Sequence, residues 1–165
     1  MSLYKKALLS AALIFGIAAT TFAEMRLDLD QKPGDQRLRE AKIKPGEKTK
    51  GVQLLGYFGI KLGDIQEYEI ELWFNPKKVT VKSFQPTGIM AGAMALPMQT
   101  LKPGNVQGKK RPGGVKLSVG FLGGKSKGDK GILGTLLIQL GNKLGKQARI
   151  ALVKGSYGVS GKTQT

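Results

Sequence analysis

The chain contains no cysteine and no histidine. Without cysteine there are no disulfide bonds, so a hydrophobic core has to stabilise the fold. Without histidine, hydrolases that use a histidine base and the commonest zinc sites are excluded. Acidic residues are also scarce, since 11 Asp and Glu stand against 27 Lys and Arg, for a formal net charge of +16. This charge favours acidic partners, and a cationic surface that only maintains solubility is the alternative.

Long apolar runs are missing except at the N-terminus. Lys5 and Lys6 precede an almost wholly apolar stretch at 7–19, and small residues follow at Thr21 and Ala23. This pattern predicts a signal peptide over residues 1–23, cleaved after Ala23. A membrane span needs roughly 20 apolar residues, so we expect no stable membrane insertion of the mature chain. The protein is therefore predicted to be secreted or periplasmic.

The clearest β pattern lies between residues 65 and 88. Apolar and polar residues alternate over 68–74, and this period of two is typical of a strand with one buried face. Asn75 and Pro76 end the strand, because proline lacks the N–H that a β-ladder needs, and branched residues at 79–81 begin another. The predicted inner face carries Tyr68, Ile70, Leu72 and Phe74, and the opposite face carries Glu67, Glu69, Glu71 and Trp73.

Similar patterns predict further strands along the chain, and no long helix is evident. These strands lie at 25–29, 52–60, 115–121, 132–140 and 148–153. Six or seven short strands at regular spacing, with turn signals between them, indicate an all-β antiparallel β-sandwich. We expect one domain over 24–155 and a flexible tail over 156–165.

The segment 87–101 is rich in methionine. Met90, Met94 and Met98 lie four residues apart, which would place them on one face of a short helix that Pro97 ends. We interpret them first as a flexible plug over the open end of the core. An exposed methionine patch for a protein partner is the alternative.

Trp73 and the three glutamates beside it are the candidate ligand-binding residues. An exposed tryptophan on a strand could stack on a sugar ring, and packing under a neighbouring loop is the alternative. Glu67, Glu69 and Glu71 have a separation that suits glycoside hydrolysis, but the pattern predicts no cleft around them. We expect a solvated strand face that pairs with lysines such as Lys116, and no enzymatic activity.

Two basic loops are the candidate anion-binding sites. If both loops lie at one end of the sandwich, they would form a single anion-binding rim; solvated loops are the alternative. No aromatic residues alternate with these lysines, so we expect no nucleic-acid partner. The first loop contributes Lys109, Lys110 and Arg111, and the second contributes Lys125, Lys127 and Lys130.

No cofactor is predicted, although a structural calcium ion is one alternative for the aspartates. Asp28, Asp30 and Asp35 supply the hard oxygen ligands that calcium prefers, with Asp64 or Asp129 as a further ligand. Their spacing is not that of an EF-hand loop, and turn capping by these side chains is the simpler interpretation.

Three stretches of the chain resemble cohesin-type domains, the jelly-roll modules of bacterial cellulosomes. They are LDLDQKPGDQ at 27–36, EYEIELWFNPKKVTVKSFQPTG at 67–88 and GVKLSVGFLGGKSKGDKGILGTLLIQL at 114–140. Their order and spacing carry the resemblance, which covers most of residues 25–153. Asn75 departs from the aspartate usual in the second stretch. The resemblance implies a cohesin-like jelly-roll sandwich that acts in adhesion, either by docking a dockerin module or by binding carbohydrate.

Two functions follow from the sequence. The first is an exported, non-enzymatic binding module whose partner is a polysaccharide or an exported protein such as a dockerin. The second is a structural or assembly subunit of an extracellular or envelope complex, with an unpaired sheet edge or the segment Met90–Met98 as its contact.

Overall fold

The computed structural model of the chain describes residues 7–11, 24–29, 32, 38–44, 46–58, 65–142, 147–159 and 162–164. This part of the chain is almost entirely β, as predicted, with one short 3-10 turn at Gly88–Met90. The strands are β1 Ala7–Ala11, β2 Glu24–Asp28, β3 Glu40–Ile43, β4 Thr49–Tyr57, β5 Ile65–Phe74, β6 Val79–Pro86, β7 Met94–Ala95, β8 Gln99–Leu101, β9 Gly104–Val106, β10 Lys109–Arg111, β11 Gly114–Gly120, β12 Lys130–Leu140, β13 Gln147–Val159 and β14 Lys162–Gln164.

Two sheets form the sandwich. Sheet A has the order β3-β1-β13-β5-β11-β7, with β8 also paired to β11 and β14 paired to β13. Sheet B has the order β2-β4-β12-β6. Strands β9 and β10 form a separate two-stranded hairpin. The pairings are antiparallel except that of β1 with β13, which is parallel.

The core lies between the two sheets and is built from the alternation seen in the sequence. The residues Tyr68, Ile70, Leu72 and Phe74 of β5 are buried, as predicted, and they meet buried residues of β4, β6 and β12. The Tyr68 hydroxyl donates a hydrogen bond to the carbonyl of Leu133 in the opposite sheet, at 3.2 Å. This bond satisfies the one polar group of a ring that is otherwise surrounded by apolar atoms.

The C-terminal strand is longer than the sequence pattern indicated. Strand β13 continues to Val159, beyond residue 155, where the sequence analysis placed the end of the domain and the start of a flexible tail over 156–165. Tyr157 is only 3% exposed and packs edge-on against Phe58, with ring centroids 4.9 Å apart. The glycines and serine at 155–158 concealed this strand, because such residues usually indicate a turn.

The methionine segment does not form the predicted helix. After the 3-10 turn the chain continues as the short strands β7 and β8 at one edge of sheet A. Met90 is fully buried in the core and Met98 packs against it, whereas Met94 is exposed. The three residues therefore share no common face, and the interpretation as a single exposed patch is wrong.

Strand β1 belongs to the predicted signal peptide. In the full chain its backbone pairs with residues 147–150 of β13 on one side and with β3 on the other. Residues 1–6 and 12–23 lie outside the described part of the chain, and cleavage after Ala23 stays a prediction. Among the residues described, no helix has the length and apolar character required to span a bilayer.

Candidate functional site

The outer face of sheet A carries the candidate ligand-binding residues of β5. Glu67, Glu69, Glu71 and Trp73 alternate with the core residues, so their side chains leave the opposite face of the strand. Small residues of β11 and β13 flank two of the glutamates. Glu69 lies between Ser118 and Ser156, and Glu67 lies between Gly120 and Gly158.

Glu69 is held by a cationic neighbour, as the sequence predicted. Its Oε1 atom lies 2.8 Å from Nζ of Lys116, and its Oε2 atom accepts a hydrogen bond from the Ser118 hydroxyl at 3.2 Å. The Lys116 ammonium, helped by Ser118, holds the pKa of Glu69 below its ordinary value. A glycosidase acid needs a raised pKa, so these contacts work against that role.

Trp73 is covered by the hairpin of β9 and β10. It is 6% exposed and packs with Ala151, Val153 and the hairpin residue Val106, while its Nε1–H donates to Glu71 Oε2 at 3.1 Å. The sequence left two interpretations of Trp73 open: an exposed ring that stacks on a sugar, or a ring that packs under a neighbouring loop. The structure shows the second. Stacking of Trp73 on a sugar would require the hairpin to move.

The hairpin itself was missed in the sequence, where the stretch with Lys109, Lys110 and Arg111 was interpreted as a basic loop. Its turn places Gln107 at φ 51° and Gly108 at φ 69°, the two positive values of a type I′ hairpin turn. Gln107 Nε2 donates to the carbonyl of Val153 at 3.2 Å and so fastens the tip of the hairpin to β13. The sequence did carry a signal for this turn. Gly108 stands at the second turn position, and the residue before it, Gln107, is not β-branched.

A groove opens on the same face at the Ile65 end of β5. We call it the outer groove; its volume is about 510 Å³ and its floor holds Ser118, Gly120, Ser156 and Gly158 together with Glu67 and Glu69. Three strongly exposed apolar side chains line it. They are Met94 at 55%, Leu96 at 60% and Leu122 at 87% exposure.

A second depression, of about 520 Å³, lies at the opposite end of β5, and we call it the basic cleft. Its basic lining residues are Lys78, Lys109, Lys110, Arg111 and Arg149. The remaining lining residues include Trp73, Phe74 and Asn75. Lys78 and Arg149 were not predicted as site residues, because they lie far from the first basic loop in sequence. Only the folded chain brings them close to Lys109, Lys110 and Arg111.

The second basic loop lies at the other end of the sandwich. The Ser126 hydroxyl accepts a hydrogen bond from Ile65 N–H at 3.1 Å, which places Lys125, Lys127 and Lys130 near the start of β5. Lys109, Lys110 and Arg111 lie near its end, beside Trp73 and Phe74. The ten-residue length of β5 separates the two loops. The condition for a single anion-binding rim, that both loops lie at one end of the sandwich, is therefore not met.

The aspartates proposed for calcium are only partly described. Asp28 is buried, and its Oδ1 atom accepts a hydrogen bond from the N–H of Leu38, ten residues further along the chain, at 3.3 Å. Asp30, Asp35 and Asp64 lie outside the described residues. Within the part of the chain that the structure covers, no three acidic residues come together to hold a metal ion.

Comparison with known proteins identifies the fold. No protein-family model matches the sequence, and no curated protein is similar to it. The structure is similar to a cohesin module from a family 33 glycoside hydrolase of Clostridium perfringens, with a TM-score of 0.58 and 14% identity over 88% of this chain and 90% of that one.

Two further cohesins resemble the chain less closely. The sixth cohesin of Acetivibrio cellulolyticus scaffoldin B, solved with a Cel5 dockerin, has a TM-score of 0.46 and 15% identity, covering 68% of this chain and 77% of that one. The cohesin of a type I cohesin–dockerin complex from Clostridium thermocellum has a TM-score of 0.42 and 14% identity, covering 66% and 71%. The similarity to the Clostridium perfringens module shows that the chain has the cohesin-type β-sandwich fold, which three stretches of its sequence had indicated.

Proposed function

We propose that the protein is an exported, non-enzymatic binding module that docks a protein partner in the outer groove. The observation that carries this proposal is the group of exposed apolar side chains around that groove. Met94, Leu96 and Leu122 are more than half exposed and do not belong to the core. Contiguous exposed apolar surface beside a concave floor is typical of protein interaction sites.

The floor of the groove supports close approach by a partner. Gly120 and Gly158 lie on either side of Glu67, and Ser118 and Ser156 lie on either side of Glu69. These small residues keep the sheet low on both sides of the two glutamates, so a partner side chain could approach the backbone of β11 at Gly120. The apolar residues would then supply the desolvated contact in which binding energy concentrates.

The charge of the groove indicates the kind of partner. Glu67 and Glu69 are acidic groups in a protein whose net charge is +16. Glu69 is already paired with Lys116, whereas Glu67 is exposed beside the two glycines. A partner that places a lysine or arginine against Glu67 and apolar side chains against Leu122 would be complementary. A dockerin-like module of an exported protein is the partner class that the fold suggests.

The contacts of the glutamates on the outer face of sheet A do not favour catalysis. The pKa of Glu69 is lowered by Lys116, Glu71 accepts a hydrogen bond from the Trp73 indole, and the chain has no histidine.

The proposal of export rests on the sequence of residues 1–23, in which Lys5 and Lys6 precede the apolar run and Ala23 ends the predicted signal peptide. We therefore place the module outside the cytoplasm.

Site-specific photocrosslinking tests the groove. A photoreactive amino acid at Leu122 should capture a discrete partner from the culture medium or periplasm of the native host, and purified dockerin modules form a second arm. Leu137 is the matched control, because it is also an exposed leucine, at 40%, but lies on the outer face of sheet B.

The affinity for the captured protein then decides the proposal. We expect Leu122→Asp to weaken binding by about tenfold or more, as loss of an apolar anchor does. We expect Leu137→Asp to change it by less than about twofold. Equal weakening by both variants, or equal crosslinking from both positions, would show that the outer groove is not the docking site.

A further inference from the structure

The basic cleft contains a guanidinium group with two unused hydrogen-bond donors. Nε and Nη2 of Arg111 are both buried, and neither has a hydrogen-bond partner in the described structure. Buried polar groups are nearly always paired, because an unpaired one costs about 1–3 kcal/mol and more when it is charged. Such a group in a cleft is therefore a candidate for contact with a ligand.

The two unpaired nitrogens have a specific geometry. Nε and Nη2 form one edge of the planar guanidinium and can donate two parallel N–H bonds to the oxygens of a single oxyanion. Carboxylate, sulfate and phosphate groups all match this edge, and bidentate pairs of this kind are among the stronger hydrogen bonds in proteins. One oxyanion would satisfy both nitrogens, and because both are closed to solvent, the Arg111 side chain has to shift toward the cleft for the anion to reach this edge.

The charges around Arg111 also favour an anionic ligand. Lys78, Lys109, Lys110 and Arg149 line the cleft with it, and none of the described lining residues is acidic. Five cations within a volume of about 520 Å³ repel one another, and an anion would relieve that repulsion. The cleft is also within the size range of small-molecule and sugar sites.

We propose that the basic cleft binds an oxyanion group of an acidic polysaccharide, with Arg111 as the bidentate donor. The rings that line the cleft are buried: Trp73 is under the hairpin and Phe74 is in the core. They offer no surface for base stacking, which disfavours single-stranded nucleic acid. The three most exposed large apolar side chains of the described residues, which a lipid surface would engage, lie instead at the outer groove.

This site goes beyond the proposed docking of a protein and is separate from it. Trp73 lines the cleft and Glu67 lines the outer groove, and six residues of extended strand place them about 20 Å apart. Variants at one site should therefore leave the other intact, so that failure of either proposal is distinguishable from failure of the other.

Trp73 provides a built-in reporter, since it is the only tryptophan of the chain and lines the cleft. Its fluorescence is titrated with dextran sulfate, polygalacturonate and neutral dextran, with inorganic sulfate and anionic lipid vesicles as separate arms. We expect a saturable change with at least one acidic polymer and none with dextran. Arg111→Gln should weaken binding by about tenfold or more. Arg111→Lys should also weaken it, because lysine lacks the bidentate edge.

Lys127→Gln is the matched control, because it removes the same charge from the basic loop at the other end of the sandwich. It should change the affinity by less than about twofold. Arg149→Gln, at an exposed lining residue, repeats the test if Arg111 variants do not fold. Equal weakening by Lys127→Gln, binding of inorganic sulfate alone, or binding of anionic lipid vesicles in place of the polymers would overturn the proposal.

Discussion

Lys116 lies directly opposite Glu71 in the ladder between β5 and β11, yet its ammonium reaches diagonally to Glu69 at 2.8 Å. Glu71 accepts the Trp73 indole N–H instead, at 3.1 Å. The two acids thus have different partners. Glu71 accepts a hydrogen bond from the covered Trp73, whereas Glu69 is paired with Lys116 and lies on the floor of the outer groove. This division leaves Glu67 as the acid of the groove that can meet a partner.

The pair of Lys116 and Glu69 makes a pH-dependent contribution to stability. Because the pKa of Glu69 in the folded protein is below its ordinary value of 4.5, this contribution is present above about that pH and is lost as the pH falls through the folded-state pKa. Lys116→Met should raise the Glu69 pKa, measured by carbon-13 NMR titration of the carboxyl group. It should lower the free energy of unfolding at neutral pH by at most about 1 kcal/mol, since the pair is partly exposed.

The control for this prediction is Lys82→Met, at an exposed lysine of β6. It should leave the Glu69 titration unchanged. A Glu69 pKa at its ordinary value in the unaltered protein would contradict the prediction.

Gln107 should control access to Trp73. Gln107→Ala removes the hydrogen bond from Nε2 to the Val153 carbonyl, which holds the tip of the hairpin at 3.2 Å. The hairpin should then open more often, so that acrylamide quenches Trp73 fluorescence more strongly, with a loss of about 0.5–1.5 kcal/mol in stability. Gln85→Ala, on an exposed glutamine of β6, should not alter the quenching. Unchanged quenching in Gln107→Ala would show that other contacts hold the hairpin.

Gly120→Ala should separate binding from folding. A Cβ atom at Gly120 would meet Glu67 Cβ at 3.5 Å and the Gln66 carbonyl oxygen at 3.6 Å, which are ordinary contacts. We expect urea unfolding to change by no more than about 1 kcal/mol. The affinity for the partner captured at Leu122 should nevertheless fall, because the new methyl group raises the floor of the groove. Gly104→Ala in the hairpin, where the nearest atom is 3.9 Å away, should preserve that affinity.

Truncation should locate the C-terminal limit of the domain. A chain that ends at Gly155 loses Tyr157, whose ring packs against Phe58 at 4.9 Å. We expect a loss of about 3–5 kcal/mol in the free energy of unfolding, as for removal of a buried aromatic side chain. A chain that ends at Val159 retains this contact and serves as the control. Equal stability of the two truncated chains would mean that residues 156–159 contribute nothing to the core.

Removal of residues 1–23 should expose two strand edges. Strand β1 pairs with residues 147–150 of β13 and with β3, so both lose a ladder partner in a chain without residues 1–23. Hydrogen exchange should therefore be faster at residues 40–43 and 147–150 in the chain 24–165 than in the full chain. Strand β12, which lies inside sheet B between β4 and β6, should exchange at the same rate in both.

The sequence predicted those elements in which local pattern and burial agree. In β5 and β11 a period of two places apolar residues on the core face, and the physical reason is that successive side chains of a strand point to opposite sides. The pairing of Glu69 with Lys116 followed from the same pattern, since the two residues occur on the outer faces of neighbouring strands. The hairpin and the end of β13 did not follow, because their glycine and serine residues are also typical of turns.

What the sequence determined by itself was the fold class, the inner face of the central strand and the basic character of the chain. Only the tertiary structure decided how distant residues meet. Pairing of β13 with β5 brings Arg149 beside Arg111, folding of the hairpin covers Trp73, and the two basic loops come to lie at opposite ends of β5. Each of these contacts joins residues far apart along the chain, and local patterns carry no information about which strands become neighbours.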